Sequence, residues 1–189
     1  GGVLFAAAGP IGIAVLVGVA ARDELGLSGG EAGLLLICGP LAAMITGPFW
    51  GQLLDRWGHR RSSLIATATA TTVGGLLALG TTPVLLAVIS AVSGALIGFV
   101  VVVLQSMATT IVDGNRGGAL SFVLAFRFLG HGIGPVVWIP VLGISAPGAL
   151  IGASSLGIIT FAAFWIVTRP TNTAVHSPSR RDASPAIPD

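Results

Sequence analysis

Charge is scarce in this chain. Only 8% of its 189 residues are Asp, Glu, Lys or Arg, against about a quarter in an ordinary water-soluble protein. Apolar residues make up 53% and the mean hydropathy is +0.95. A soluble domain is therefore excluded. So is a soluble enzyme on a single anchor, because apolar stretches recur from Gly1 to Thr168 with brief polar breaks between them. Lysine is absent: nine Arg, seven acids and three His leave a formal charge of +2. The pI of about 10.0 raises nucleic acid as a partner, but the arginines are too few and too scattered to track a phosphate backbone. The one cysteine, Cys38, lies inside an apolar run, so there is no disulfide framework, no metal-ligand spacing, and no metal or cofactor to expect. Residues 1–21 have no basic segment before the apolar run and are followed by further spans, which reads as a membrane helix and not a cleaved signal. The beginning of the protein is expected to lie upstream of Gly1.

What is present is a set of membrane-length runs. A helix needs about 20 mostly apolar residues to cross a hydrocarbon core about 30 Å thick. Residues 1–21, 32–53, 63–80, 84–108, 118–143 and 148–168 meet that standard. The expected fold class is thus an all-α membrane protein, a bundle of six transmembrane helices over 1–168, with short turns that make successive helices antiparallel neighbours. The breaks carry Arg22-Asp23-Glu24, Asp55 to Arg61, Thr81-Thr82-Pro83, Asp113 to Arg116 and Ser145-Ala146-Pro147. Arg56, Arg60, Arg61, Arg116, Arg169, Arg180 and Arg181 fall on one side of this arrangement and Arg22 alone on the other. Because cytoplasmic loops hold the Arg excess, both ends of the segment are expected in the cytoplasm of a cell-membrane protein. Residues 169–189, rich in Pro, Ser, Thr and Asn, cannot bury enough apolar surface to offset the entropy of ordering and are expected to form a disordered tail.

Glycines recur at four-residue spacing inside the spans, at Gly47/Gly51, Gly94/Gly98, Gly130/Gly134 and Gly148/Gly152. Helices in lipid associate by close backbone approach, so such stripes mark packed faces. Arg127 is the one arginine deep in a span, about 14 Å in from Gly118. An unpaired Arg at that depth is costly, so it should face a cavity or a partner. His131 follows one turn later on the same face. Pro135 leaves the carbonyl of His131 without its helix bond, which is tolerated where backbone meets protein or lines a cavity. Arg127, His131 and Gln105 are therefore the candidates for contact with a substrate or coupling ion, against a plain structural role for Arg127 as a binder of helix carbonyls. Gln105 and Ser106 are also suited to interhelical hydrogen bonds, and Trp50, Trp57, Trp138 and Trp165 to interface or packing positions. No Asp or Glu lies inside any span.

The break from Gly51 to Arg61 has an odd charge order. Asp55 closes the second span and Arg60 and Arg61 open the third, each meeting a helix end of like sign. Retention by positive charge, an ion pair with Asp55, or docking of Asp55 on another helix end would each offset this. The stretch Gly51-Gln52-Leu53-Leu54-Asp55-Arg56-Trp57-Gly58-His59-Arg60-Arg61 resembles the loop between the second and third helices of a six-helix repeat in the major facilitator superfamily. The resemblance implies a conformational latch, with Gly51 as a packing position, Asp55 engaging a neighbouring helix end, and Arg56, Arg60 and Arg61 as charge partners beside Gly58. It implies one half of a twelve-helix fold built from inverted three-helix repeats. Gly130, Gly134 and Pro135 are similar to the fifth helix of drug-efflux, drug:proton antiporter members, although Val136, Val137 and Trp138 stand where that motif continues with glycines, and Ser121 replaces an earlier Gly. The fourth span lacks the Arg of an N-terminal half, so the C-terminal half is expected, working with a missing N-terminal half or with a second copy.

The function so implied is secondary transport of a small molecule by alternating access, as proton-coupled efflux of drug-like or metabolite solutes. The alternatives are uptake of a small nutrient or anion, and a non-transporting membrane assembly protein. An intramembrane hydrolase needs a base within reach of its nucleophile; Ser121 and His131 are about 15 Å apart along one helix, so no enzyme is read.

Overall fold

A computed structural model describes residues 13–112 and 114–169. Residues 1–12, which hold the start of the first expected span, and 170–189, which hold nearly all of the expected tail, lie outside the described residues, as does Asp113. Every described element is helical: α1 (Ile13–Asp23), α2 (Gly29–Leu76), a single 3-10 turn (Leu77–Leu79), α3 (Pro83–Ile111), α4 (Arg116–Leu142) and α5 (Ala146–Val167). Four segments, 29–79 and α3 to α5, are long and apolar enough to cross a membrane.

The helix starts are written in side chains that satisfy orphan N–H groups. Ser28 Oγ accepts from the Glu31 N–H at 3.3 Å, while the Glu31 carboxylate accepts from the Ser28 N–H at 2.9 Å, a reciprocal capping box. Thr82 caps α3 ahead of Pro83, whose missing N–H costs nothing in a first turn. Asn115 caps α4 through Gly118 N–H at 2.9 Å, and Ser145 caps α5 through Gly148 N–H at 3.1 Å.

The second and third expected spans are not separated by a loop. The helix continues through Asp55, Arg56 and Trp57, breaks at Gly58 alone, and resumes at His59. Gly58 has φ 74° and ψ 166°, a region open in practice only to glycine. The 51 residues from Gly29 to Leu79 would extend about 76 Å if straight, more than twice the thickness of a hydrocarbon core. A reversal at Gly58 is thus what lets both limbs lie in one layer. Gly58→Ala should lower the thermal unfolding midpoint by an amount equivalent to about 1–3 kcal/mol, measured on purified protein in detergent; an unchanged midpoint would mean that the turn tolerates a side chain.

Packing confirms that the limbs run in opposite senses. One apolar cluster gathers Ile13 and Leu16 of α1, Leu35, Leu77, Leu86, Leu142 and Leu150. The other gathers Leu54, Ala66, Phe99, Val103, Val123 and Phe164. The first limb of α2 therefore passes from the first cluster (Leu35) to the second (Leu54), and the second limb returns from Ala66 to Leu77. Helix α3 descends from Leu86 to Val103, α4 climbs from Val123 to Leu142, and α5 descends from Leu150 to Phe164. The outward faces stay apolar, as at Ile45, Ile158 and Ile166, the distribution expected where the surrounding solvent is hydrocarbon.

Candidate functional site

Two parallel rods, the first limb of α2 and α3, form the wall on which the site is built. A Cβ placed on Gly94 would run into the backbone of Gly39, and one on Gly98 would meet Ala43 Cβ at 3.0 Å. The lack of side chains lets these backbones touch. Below this seam Trp50 stacks on Phe99, with ring centroids 4.6 Å apart. The other glycine pairs differ. Gly152 makes room for the ring of Trp138, and Gly130 and Gly134 are buried in α4. Gly47 and Gly51 have no described atom within 4 Å of a Cβ position, so whatever packs on Gly51 lies beyond the described residues.

Between this wall, α1 and α4 lies a cavity of about 400 Å³. Its walls are mostly apolar, with Val17 from α1, Pro40 and Met44 from α2 and Ile97 from α3. Gln105, Arg127 and His131 all border it. The placement of the last two follows from the register of α4. Val123, Gly130 and Gly134 are buried and fall within one narrow stripe at about 100° per residue; Arg127 and His131 sit about 40° and 80° round from Val123, at the edge of the packed face. The helix stays continuous through Pro135 and Pro140.

His131 Nδ1 lies 3.0 Å from the Arg127 carbonyl oxygen. A carbonyl can only accept, so Nδ1 carries the proton and donates. In the neutral ring Nε2 is then the acceptor. Two further polar groups, which composition did not single out, also border the cavity: Ser90 and Ser93 on α3. Their hydroxyl oxygens are buried and have no hydrogen-bond partner among the described residues. Among the described residues no three His, Cys, Asp or Glu side chains gather as a metal would need.

The reversal at Gly58 forms a second polar centre at the other end of α3. Asp55, Arg56, Arg60 and Arg61 are exposed there. Among the described residues Asp55 has no cationic partner within 4.0 Å, which removes a local ion pair as the reason for its position. His59, read only as a variable basic position in the sequence, is instead half-buried and its Nε2 lies 3.0 Å from Ser106 Oγ. This hydrogen bond ties the turn to α3. Thr109 and Thr110 bond to carbonyls of their own helix. Arg60 lies over the Trp165 ring at 5.5 Å and Arg169 at 5.8 Å, so the end of α5 is held by cation–π contacts that spacing alone could not reveal.

With this geometry in place, comparison with known proteins identifies the class. A sequence model of the Major Facilitator Superfamily matches residues 1–188, and the chain belongs to that family of multi-pass membrane transporters. It is similar to an uncharacterized MFS-type transporter of Yersinia pestis, 34% identical over 100 residues, which are 53% of this chain. The match spans 26% of that relative.

Proposed function

We propose that the chain forms one six-helix wall of a secondary transporter, with the cavity between α1, α2, α3 and α4 as part of the solute path and a second bundle closing it. The observation that carries this reading is an Arg and a His at mid-helix on the border of an otherwise apolar cavity, in a member of a transporter family. Polar groups at membrane depth are kept where they meet a pathway. The six-helix count rests on the reversal at Gly58, and α1 supplies the remaining rod. The latch reading of Gly51, Asp55, Arg56, Gly58, Arg60 and Arg61 is supported by their clustering at the end where Arg116 and Arg169 also lie, which the arginine bias assigns to the cytoplasm. Efflux coupled to protons is the direction favoured by the likeness of Gly130, Gly134 and Pro135 to antiporter helices. In that scheme His131 is the titratable group available on this wall.

Alternating access is testable without knowing the solute. In intact protein with Cys38→Ser, the substitution Gln105→Cys should react with a membrane-impermeant thiol reagent from either side, in whole cells and in inverted vesicles. Labelling from one side only, under all conditions of pH and added solute, would overturn the reading in favour of a static assembly role.

A further inference from the structure

We propose that the solute taken by this cavity is a small organic monoanion with an apolar body, neutralised by Arg127; this rests on the cavity being a solute path. Three observations carry it. First, the only formal charge on the described lining is the Arg127 guanidinium; the lining holds no carboxylate. The acidic residues of the lining helices, Asp23, Glu31 and Asp55, all sit near helix ends, and α3 and α4 have none. A cation entering here would meet an uncompensated like charge in a medium where Coulomb terms are strong. A dianion would keep one charge unpaired in apolar surroundings.

Second, the hydroxyls of Ser90 and Ser93 have no partner, and Ser93 is only 3% exposed. Threonines elsewhere in these helices return their hydroxyl protons to their own backbone, as Thr46 does to the Ala42 carbonyl at 2.7 Å. Ser90 and Ser93 do not. They share one face of α3 and hold donors in reserve on the cavity wall, about 18 Å along the helix from Gln105. With Nδ1 of His131 committed to the Arg127 carbonyl, the neutral imidazole offers the cavity no donor, so an anion is served by the guanidinium and by hydroxyls. Third, about 400 Å³ lies in the range of small-molecule sites, and apolar walls with few polar groups suit an amphiphilic ligand.

The test uses three probes that share a ring and a chain length and differ in charge: phenylacetate, phenylacetamide and phenethylamine. Each is titrated calorimetrically against the intact purified protein. Phenylacetate should bind about tenfold or more tightly than the amide, the scale of a charge-assisted hydrogen bond, and the amine should bind weakest. Arg127→Gln should bring phenylacetate and the amide to within about twofold of each other, whereas Arg127→Lys keeps their order, because it keeps the charge. Tightest binding of the amine, equal binding of all three, no binding of any, or an unchanged preference in a folded Arg127→Gln protein would each overturn the assignment. Two-sided labelling of Gln105→Cys alongside any of those results would leave the transport reading standing. One-sided labelling with phenylacetate still preferred would remove transport and leave the anion site.

Discussion

Gly94→Ala is expected to destabilise the protein by at least about 2 kcal/mol, the cost of overpacking a closed contact, while Gly47→Ala is expected to be neutral or mildly stabilising. Both changes add one methyl to a helical glycine, and alanine is favoured over glycine in a helix by about 1 kcal/mol. They differ only in what the methyl meets. At Gly94 it meets the main chain of Gly39, which has no side chain to rotate away, so the first limb of α2 and α3 must separate along the seam. At Gly47 it meets no described atom. Thermal unfolding in detergent, with the two variants side by side, checks this. Equal loss at both positions would show that the Gly47 face is itself closely packed in the intact protein.

Asp55→Asn is expected to give opposite signs in two measurements. Asp55 lies in the last turn before Gly58, where the helix end is electronegative and a carboxylate costs about 0.3–1 kcal/mol. It is exposed, with no described cation in reach. Neutralising it should therefore leave thermal stability unchanged or slightly raised. If the side chain latches the inner end of the bundle, turnover should nevertheless fall by about tenfold, within the usual range of conformational coupling energies, with surface expression close to that of the parent. Matched losses of expression and turnover would assign Asp55 to folding.

The elements that could be read from the sequence are those with local causes. The starts at Ser28, Thr82, Asn115 and Ser145 follow from capping side chains and neighbouring prolines, and each is present. The segment 51–61 was harder, because its charges suit a helix end as well as a loop. Only Gly58 departs from helical geometry there, and a single glycine does not announce whether it will be used as a turn. The site was legible in part for a similar reason. Arg127 and His131 stand out because a charge at membrane depth demands an explanation, and their spacing fixes a common face. Ser90 and Ser93 do not, since a serine in an apolar helix ordinarily bonds to its own backbone, as Ser154 does to the Leu150 carbonyl at 2.7 Å. The four glycine pairs look alike in sequence; which of them is closed against a neighbour depends on a partner helix that their own spacing does not specify.

The contact of Gly39 with Gly94 has a mechanical consequence. Backbone against backbone leaves no compliant side chains to absorb sliding, and packed interfaces shift between discrete arrangements instead of deforming smoothly. The first limb of α2 and α3 are in effect riveted into a single plank. Any swelling or narrowing of the chamber must then come from the opposite boards, α1 and α4, and the board that swings carries the guanidinium with it.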